Sequence, residues 1–143
     1  MAFDRWLERH TLAKLTTPEE FVDRFGPVVE RDASPQANRH VPGQTDSILT
    51  LRFDGPLVAR FYAVTGGRSL PMSVDVAAPG LLGTEGVDVG TPWPLVEASF
   101  GPPDGTREGD PYYVCDCKGA EEPVVFQISG GVVRAIRFHY YVD

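Results

Sequence analysis

The chain has 143 residues, 42% hydrophobic and 23% charged, enough for one domain that builds a core without disulfides or metals. Twenty acidic residues against 13 basic ones give a formal net charge of −7, which excludes the basic face that nucleic acid requires. No apolar run approaches the roughly 20 residues that span a bilayer, and MAFDRWLERHTLAKL has no secretory apolar core, so the expectation is a cytoplasmic protein without a membrane partner.

Phe3, Trp6, Leu7 and His10 recur at helical spacing and predict a lead helix with one apolar face. Thr17-Pro18-Glu19-Glu20 then writes a helix start. Thr17 caps free N–H groups, Pro18 sits where its missing N–H costs nothing, and Glu20 completes a capping box. Phe21, Val22 and Phe25 form the apolar stripe, and Gly26-Pro27 ends it. PVVERD (27–32) is a strand or nothing regular, while ASPQANRHVPGQTD (33–46) is polar, turn-rich and expected to be an exposed loop. Residues 48–64, ILTLRFDGPLVARFYAV, alternate on both sides of Asp54-Gly55-Pro56 and predict a hairpin. SLPMSVDVAA (69–78) alternates as a further strand, with Met72, Val74 and Val76 on one side.

The helix signal returns in TPWPLVEASFGPPDG (91–105). Thr91 stands as cap, Pro92 comes first, Leu95, Val96 and Phe100 form the stripe, and Gly101-Pro102 is the stop. Pro94 still lies in the first turn, where no intrahelical donor is lost. YYVCDCK (112–118) reads as a strand, and PVVFQISGGVVRAIRFH (123–139) as a second hairpin, matching 48–64 at a constant offset of 75. Leu49, Leu51 and Phe53 match Val124, Phe126 and Ile128. Leu57, Ala59, Phe61 and Ala63 match Val132, Arg134, Ile136 and Phe138, with Arg134 the one misfit. The helices share an offset of 74 or 75, so two separate elements point to an internal duplication. Residues 1–143 form a single domain: unit one over about 15–64, a connecting segment 65–86, and unit two over about 87–143. The fold expectation is α+β, with two short-helix/β-hairpin repeats forming one antiparallel sheet and the helices packed on one face.

The run VDVGTPWPLVEASFGPPDG, YYVCDC and EPVVFQISGGVVRAIRF resembles the repeat shared by beta-lactamase inhibitor proteins (BLIP-like) and SmpA/OmlA-type outer-membrane assembly lipoproteins. The resemblance covers about 87–138 and, more loosely, 15–64. Tandem duplication is similar to the inhibitors, whose two units make one curved sheet. The resemblance implies a style of function, a sheet backed by helices that grips another protein, and no named target.

Chemistry finds few footholds. Cys115 and Cys117 lack the second ligand pair of a zinc site and are expected to be packed free thiols, with no metal and no cofactor. His10, His40 and His139 have no nucleophile signature beside them, and Gly66-Gly67 and Gly130-Gly131 do not open phosphate-binding helices. No catalytic residue is assigned, and the expectation is a non-enzyme. If the inward set faces the helices, Arg52, Val58, Arg60, Tyr62 and Val64 point away. So do Gln127, Val133, Arg137, His139 and Tyr141, with Tyr112 and Val114. Arginine and tyrosine anchor protein interfaces well, so Arg52, Arg60, Tyr62, Arg137, His139 and Tyr141 are the candidate partner-binding residues. The expected function is an intracellular inhibitor or immunity-type module that blocks another protein, a toxin or enzyme of basic character, through this face or acidic loops. The alternatives are a small-ligand pocket between sheet and helices, or a small hydrolase.

Overall fold

The computed structural model describes residues 2–9, 15–82, 86–115 and 122–140. Among them run α1 (Ala2–Arg9), α2 (Pro18–Phe25), β1 (Val28–Ala37), β2 (Thr45–Phe53), β3 (Leu57–Ala63) and β4 (Ser69–Val76). Then follow α3 (Trp93–Phe100), β5 (Gly105–Arg107), β6 (Asp110–Val114), β7 (Pro123–Ser129) and β8 (Val132–His139). The fold is α+β. Its strands form one antiparallel sheet in the order β1-β2-β3-β4-β8-β7-β6-β5, so two four-stranded meanders join through a ladder between β4 and β8. Both expected hairpins exist, as β2–β3 and β7–β8, but they hold different places: strands two and three of the first meander, three and four of the second.

Period-two alternation sorts the strands. Leu51, Phe53, Leu57, Ala59, Phe61, Val74, Val76, Val124, Phe126, Ile136 and Phe138 are buried in one cluster. The helices bring rings to this set. Phe21 meets Phe61 edge-on at 5.4 Å, and Phe25 meets Phe53 at 6.3 Å. Although first in the chain, α1 serves the second meander: Trp6 reaches Phe126 at 5.9 Å and Phe138 at 6.0 Å, while Phe3 stacks on Tyr113 at 5.3 Å. The Trp6 indole N–H also donates to the Val87 carbonyl at 2.9 Å, which satisfies its one polar atom.

The two Phe-Gly-Pro stops look alike in sequence and differ in geometry. Gly101 has φ +83°, a left-handed conformation open to glycine. Gly26 has an ordinary φ, but a Cβ there would lie 2.4 Å from the Val22 carbonyl oxygen. One position needs glycine for its torsion, the other for its lack of bulk.

Several expectations are corrected. Thr17 and Glu20 do form the capping box, yet Thr91 does not cap α3: Pro92 is the N-cap, without a side-chain bond. The reason is a bridge between Pro92 and Val132. Val133 N–H donates to the Thr91 carbonyl and Trp93 N–H to that of Gly131, which holds the backbone extended through Pro92. Leu95 is 57% exposed, so the α3 stripe is Trp93, Val96 and Phe100. The expected loop 33–46 is shorter, because β1 continues to Ala37 and pairs with β2 from Thr45. Three β-bulges or irregularities interrupt the described ladders, one of them at Val29 in β1, and the other two overturn an expected alternation. One leaves Met72 unpaired in β4, so it does not join Val74 and Val76 in the buried cluster. The other leaves Arg134 unpaired in β8. Arg134 turns out to solvent and Val133 turns into the core, the reverse of the expected placement. The strand expected over 112–118 ends at Val114, so its alternation does not carry through Cys115. That residue is buried and disulfide-bonded rather than a free thiol; Cys117 and His10 lie outside the described residues.

Phe126 is fully buried among Trp6, Trp93, Phe100 and Tyr113. Phe126→Ala should therefore cost about 3–5 kcal/mol in urea unfolding. Leu95→Ala, at an exposed position, should stay within about 0.5 kcal/mol.

Candidate functional site

The residues that alternate with the buried set form rows across the sheet. One row runs Glu30, Arg52, Val58, Asp75, Arg137, Val125 and Tyr112. The next runs Asp32, Thr50, Arg60, Ser73 and His139, and a third Ser34, Ile48, Tyr62 and Leu70. Five of the six candidate partner-binding residues, Arg52, Arg60, Tyr62, Arg137 and His139, thus fall in three neighbouring rows. Tyr141 lies outside the described residues.

Asp75 organises the middle of these rows, and sequence reasoning missed it. Its carboxylate takes a forked pair of bonds from Arg137, through Nε to Oδ1 and through Nη2 to Oδ2 at 3.0 Å, and a third from Arg60 Nη1 at 3.3 Å. Forked pairs of this kind fix a guanidinium in direction as well as distance. The bond to Asp75 raises the Arg137 guanidinium above its ordinary value. The side chains remain partly exposed, so the pairs contribute little stability, about 0.2–1 kcal/mol, and act chiefly to orient. Asp75 carried a signal: it is the lone acid between Val74 and Val76 on an alternating strand, so it had to point away from them. Arg52 stands apart, 3.6 Å from Glu30 on the neighbouring edge strand β1.

Beside the rows, Asp46 is buried and accepts four hydrogen bonds: from the Thr65 N–H, the Tyr62 hydroxyl, Gln44 Nε2 and Asn38 Nδ2, at 2.7–2.9 Å. These donors, the Thr65 amide foremost, hold its carboxyl well below the usual carboxylate range, and the same contact raises the Tyr62 phenol. Asn38 Oδ1 accepts from the N–H groups of His40 and Val41, at 2.8 and 2.9 Å. Asp46 and Asn38 thereby pin the turn between β1 and β2. The turn lines a cleft of about 320 Å³, to which it brings Asn38, Arg39 and His40, while the strands bring Gln36, Ile48, Tyr62, Leu70 and Met72 and the residue after β3, Val64. The Tyr62 hydroxyl is committed to Asp46, and Tyr62 is also part of the cleft lining.

His139 is half-buried. Loss of water, and secondarily the charges of Arg107 and Arg137, depress its pKa below 6.5. No group of three metal-ligating side chains comes together among the described residues, and no helix among them is long and apolar enough to cross a membrane. A second cleft, also about 320 Å³, lies against α1 and α3 beside Trp6, Val87 and Phe100. Comparison with known protein families, curated proteins and solved structures finds no match to this chain.

Two measurements probe this geometry. Because the folded His139 has a depressed pKa, its neutral ring is favoured on folding: stability is full above pH 6.5 and is lost as pH falls through the folded value. His139→Gln should flatten the fall in urea midpoint between about pH 7 and 5. Asp46→Asn, which cannot accept all four donors, should speed amide exchange of His40, Val41 and Thr65 by about tenfold or more while core amides keep their protection.

Proposed function

We propose that the chain is a non-enzymatic protein-binding module, an inhibitor or immunity-type protein that blocks a toxin or enzyme. In this reading the two helix-and-strand units derive from a duplication, their helices cover one sheet face, and the other face meets the partner. The observation that carries it is the set of rows holding Arg60, Tyr62, Asp75, Arg137 and His139. These are partly exposed groups, and the directions of Arg60, Tyr62, Asp75 and Arg137 are already fixed by hydrogen bonds before any partner arrives. Binding then orders few side chains, which lowers its entropic cost.

Charge divides the task. The overall −7 steers a basic partner toward the module. At the seam itself two arginines share one carboxylate, leaving a local excess of positive charge that suits a single acidic group of that partner. The disulfide at Cys115 suits an oxidising compartment. It weighs against the cytoplasmic setting expected from the lack of a secretory apolar core, so the proposal carries no compartment with it.

The test is to purify the partner complex from the native host, establish its stoichiometry by light scattering, and measure affinities of variants by calorimetry. Tyr62→Ala and Arg137→Ala should each weaken a one-to-one complex by more than about 1 kcal/mol, while Val29→Ala on the exposed edge strand leaves it unchanged. Equal affinity across all three removes the sheet rows as the binding surface.

A further inference from the structure

We infer that the cleft lined by the β1–β2 turn is a binding site for a small neutral molecule with an apolar body, a guest of arylalkanol size that carries no charge. The inference does not rest on the protein-binding proposal, although Tyr62 belongs to both surfaces.

The third of the sheet rows differs from its neighbours. They carry Arg52, Asp75 and Arg137, or Arg60 and His139, whereas it sets Ile48, Tyr62 and Leu70 side by side. Val64, just past β3, and Met72, which the β4 bulge leaves out of the ladder, join this set in the cleft lining. All five are half-buried, and none belongs to the main core or packs against it. Apolar side chains gathered beside a long turn often do no more than pack with it. Here that packing is incomplete. A volume of about 320 Å³ stays open, and Val41, the turn's own branched apolar residue, is 46% exposed and takes no part in the lining. Small-molecule sites begin at roughly this size, about 300 Å³. The unbranched thioether of Met72 adapts to the shape of a guest better than a branched side chain does.

The polar residues of the lining select against charge, because each already has a partner within the chain. Gln36 Nε2 donates to the Ala37 carbonyl. Asn38 spends Nδ2 on Asp46 and Oδ1 on two backbone N–H groups, and the Tyr62 hydroxyl donates to Asp46. Arg39 and His40 are engaged as well. An anion would compete with the partner Arg39 already has, and would meet the charge of Asp46, which outweighs that of Arg39 at Tyr62. An ammonium would share the cleft with Arg39 and find no carboxylate among the described lining residues, since Asp46 is buried behind the four donors it accepts. Either ion gives up water without gaining a new partner, which is costly, and a neutral guest avoids that loss. The bonds of Asp46 and Asn38 already hold the turn, so binding orders little of the chain.

The experiment is an amide-shift NMR titration of the whole chain with 3-phenylpropanol and, in parallel, with 3-phenylpropionate and 3-phenylpropylamine. Saturable shifts centred on residues 38–40, 48, 62, 64, 70 and 72 are expected, with the alcohol binding at least about threefold tighter than either ion. Leu70→Trp and Val64→Trp each add bulk to the cleft and should weaken alcohol binding about tenfold or more; Val64 stands outside the ladders, so its replacement puts the sheet at less risk. Absence of saturable shifts at these residues overturns the inference, as does either ion binding as tightly as the alcohol in the unaltered chain. Unweakened alcohol binding in either variant, once its core amide shifts show it folded, overturns it as well.

Discussion

The ladder between β4 and β8 is the constraint on which the rest of the sheet depends. Among the described residues it joins the two meanders through four paired positions, Ser73 with His139, Val74 with Phe138, Asp75 with Arg137, and Val76 with Ile136, and the Tyr140 N–H extends it by donating to the Met72 carbonyl. Alternation divides these four evenly. Val74, Val76, Ile136 and Phe138 close the core across the seam, while Ser73, Asp75, Arg137 and His139 form the centre of the charged rows. A slip of one residue would exchange the two sets and bury an ion pair where Phe138 belongs. Hydrophobic burial thus sets the register, and the register places Asp75 opposite Arg137.

Cover for this sheet is drawn from separate parts of the chain. The first meander receives α2 through Phe21 and Phe25, whereas the second receives both α3 and the N-terminal α1. The large aromatic cluster under the second meander follows from that arrangement, since Phe3, Trp6, Trp93, Phe100, Tyr113 and Phe126 all converge there. Closely packed rings fill the space between these helices and the second meander, while the directions of Arg60 and Arg137 are set by their bonds to Asp75.

Local signals were legible where a few adjacent residues decide the outcome. Thr17 to Glu20 wrote its own capping box, and the alternation of 48–53 and 57–61 wrote its own strands. The rows of the candidate site were legible for the same reason: given a strand, period two separates Arg60 from Phe61 without further information. Elsewhere distant partners took control. Thr91 has the right chemistry for a cap, but Val133 binds its carbonyl and the helix starts later. Met72 fits the apolar alternation on paper and Arg134 is its one misfit, and a bulge in each strand removes both from the ladder. Asp46 and its four donors are spread from Asn38 to Thr65, so no short window of sequence contains the knot they tie.

The sequence by itself determined the start of α2, the glycine stops of α2 and α3, the two hairpins, the acidic balance and the shared sheet surface of Arg52, Arg60 and Arg137. These are properties of spacing and composition, fixed by energies acting within a few residues. Only the tertiary structure decided that β4 meets β8, that α1 crosses to the second meander, and that a turn pinned by Asp46 lines a cleft. Those outcomes come from contacts between residues far apart in the chain, where the gain from burying rings and satisfying a carboxylate outweighs local preference.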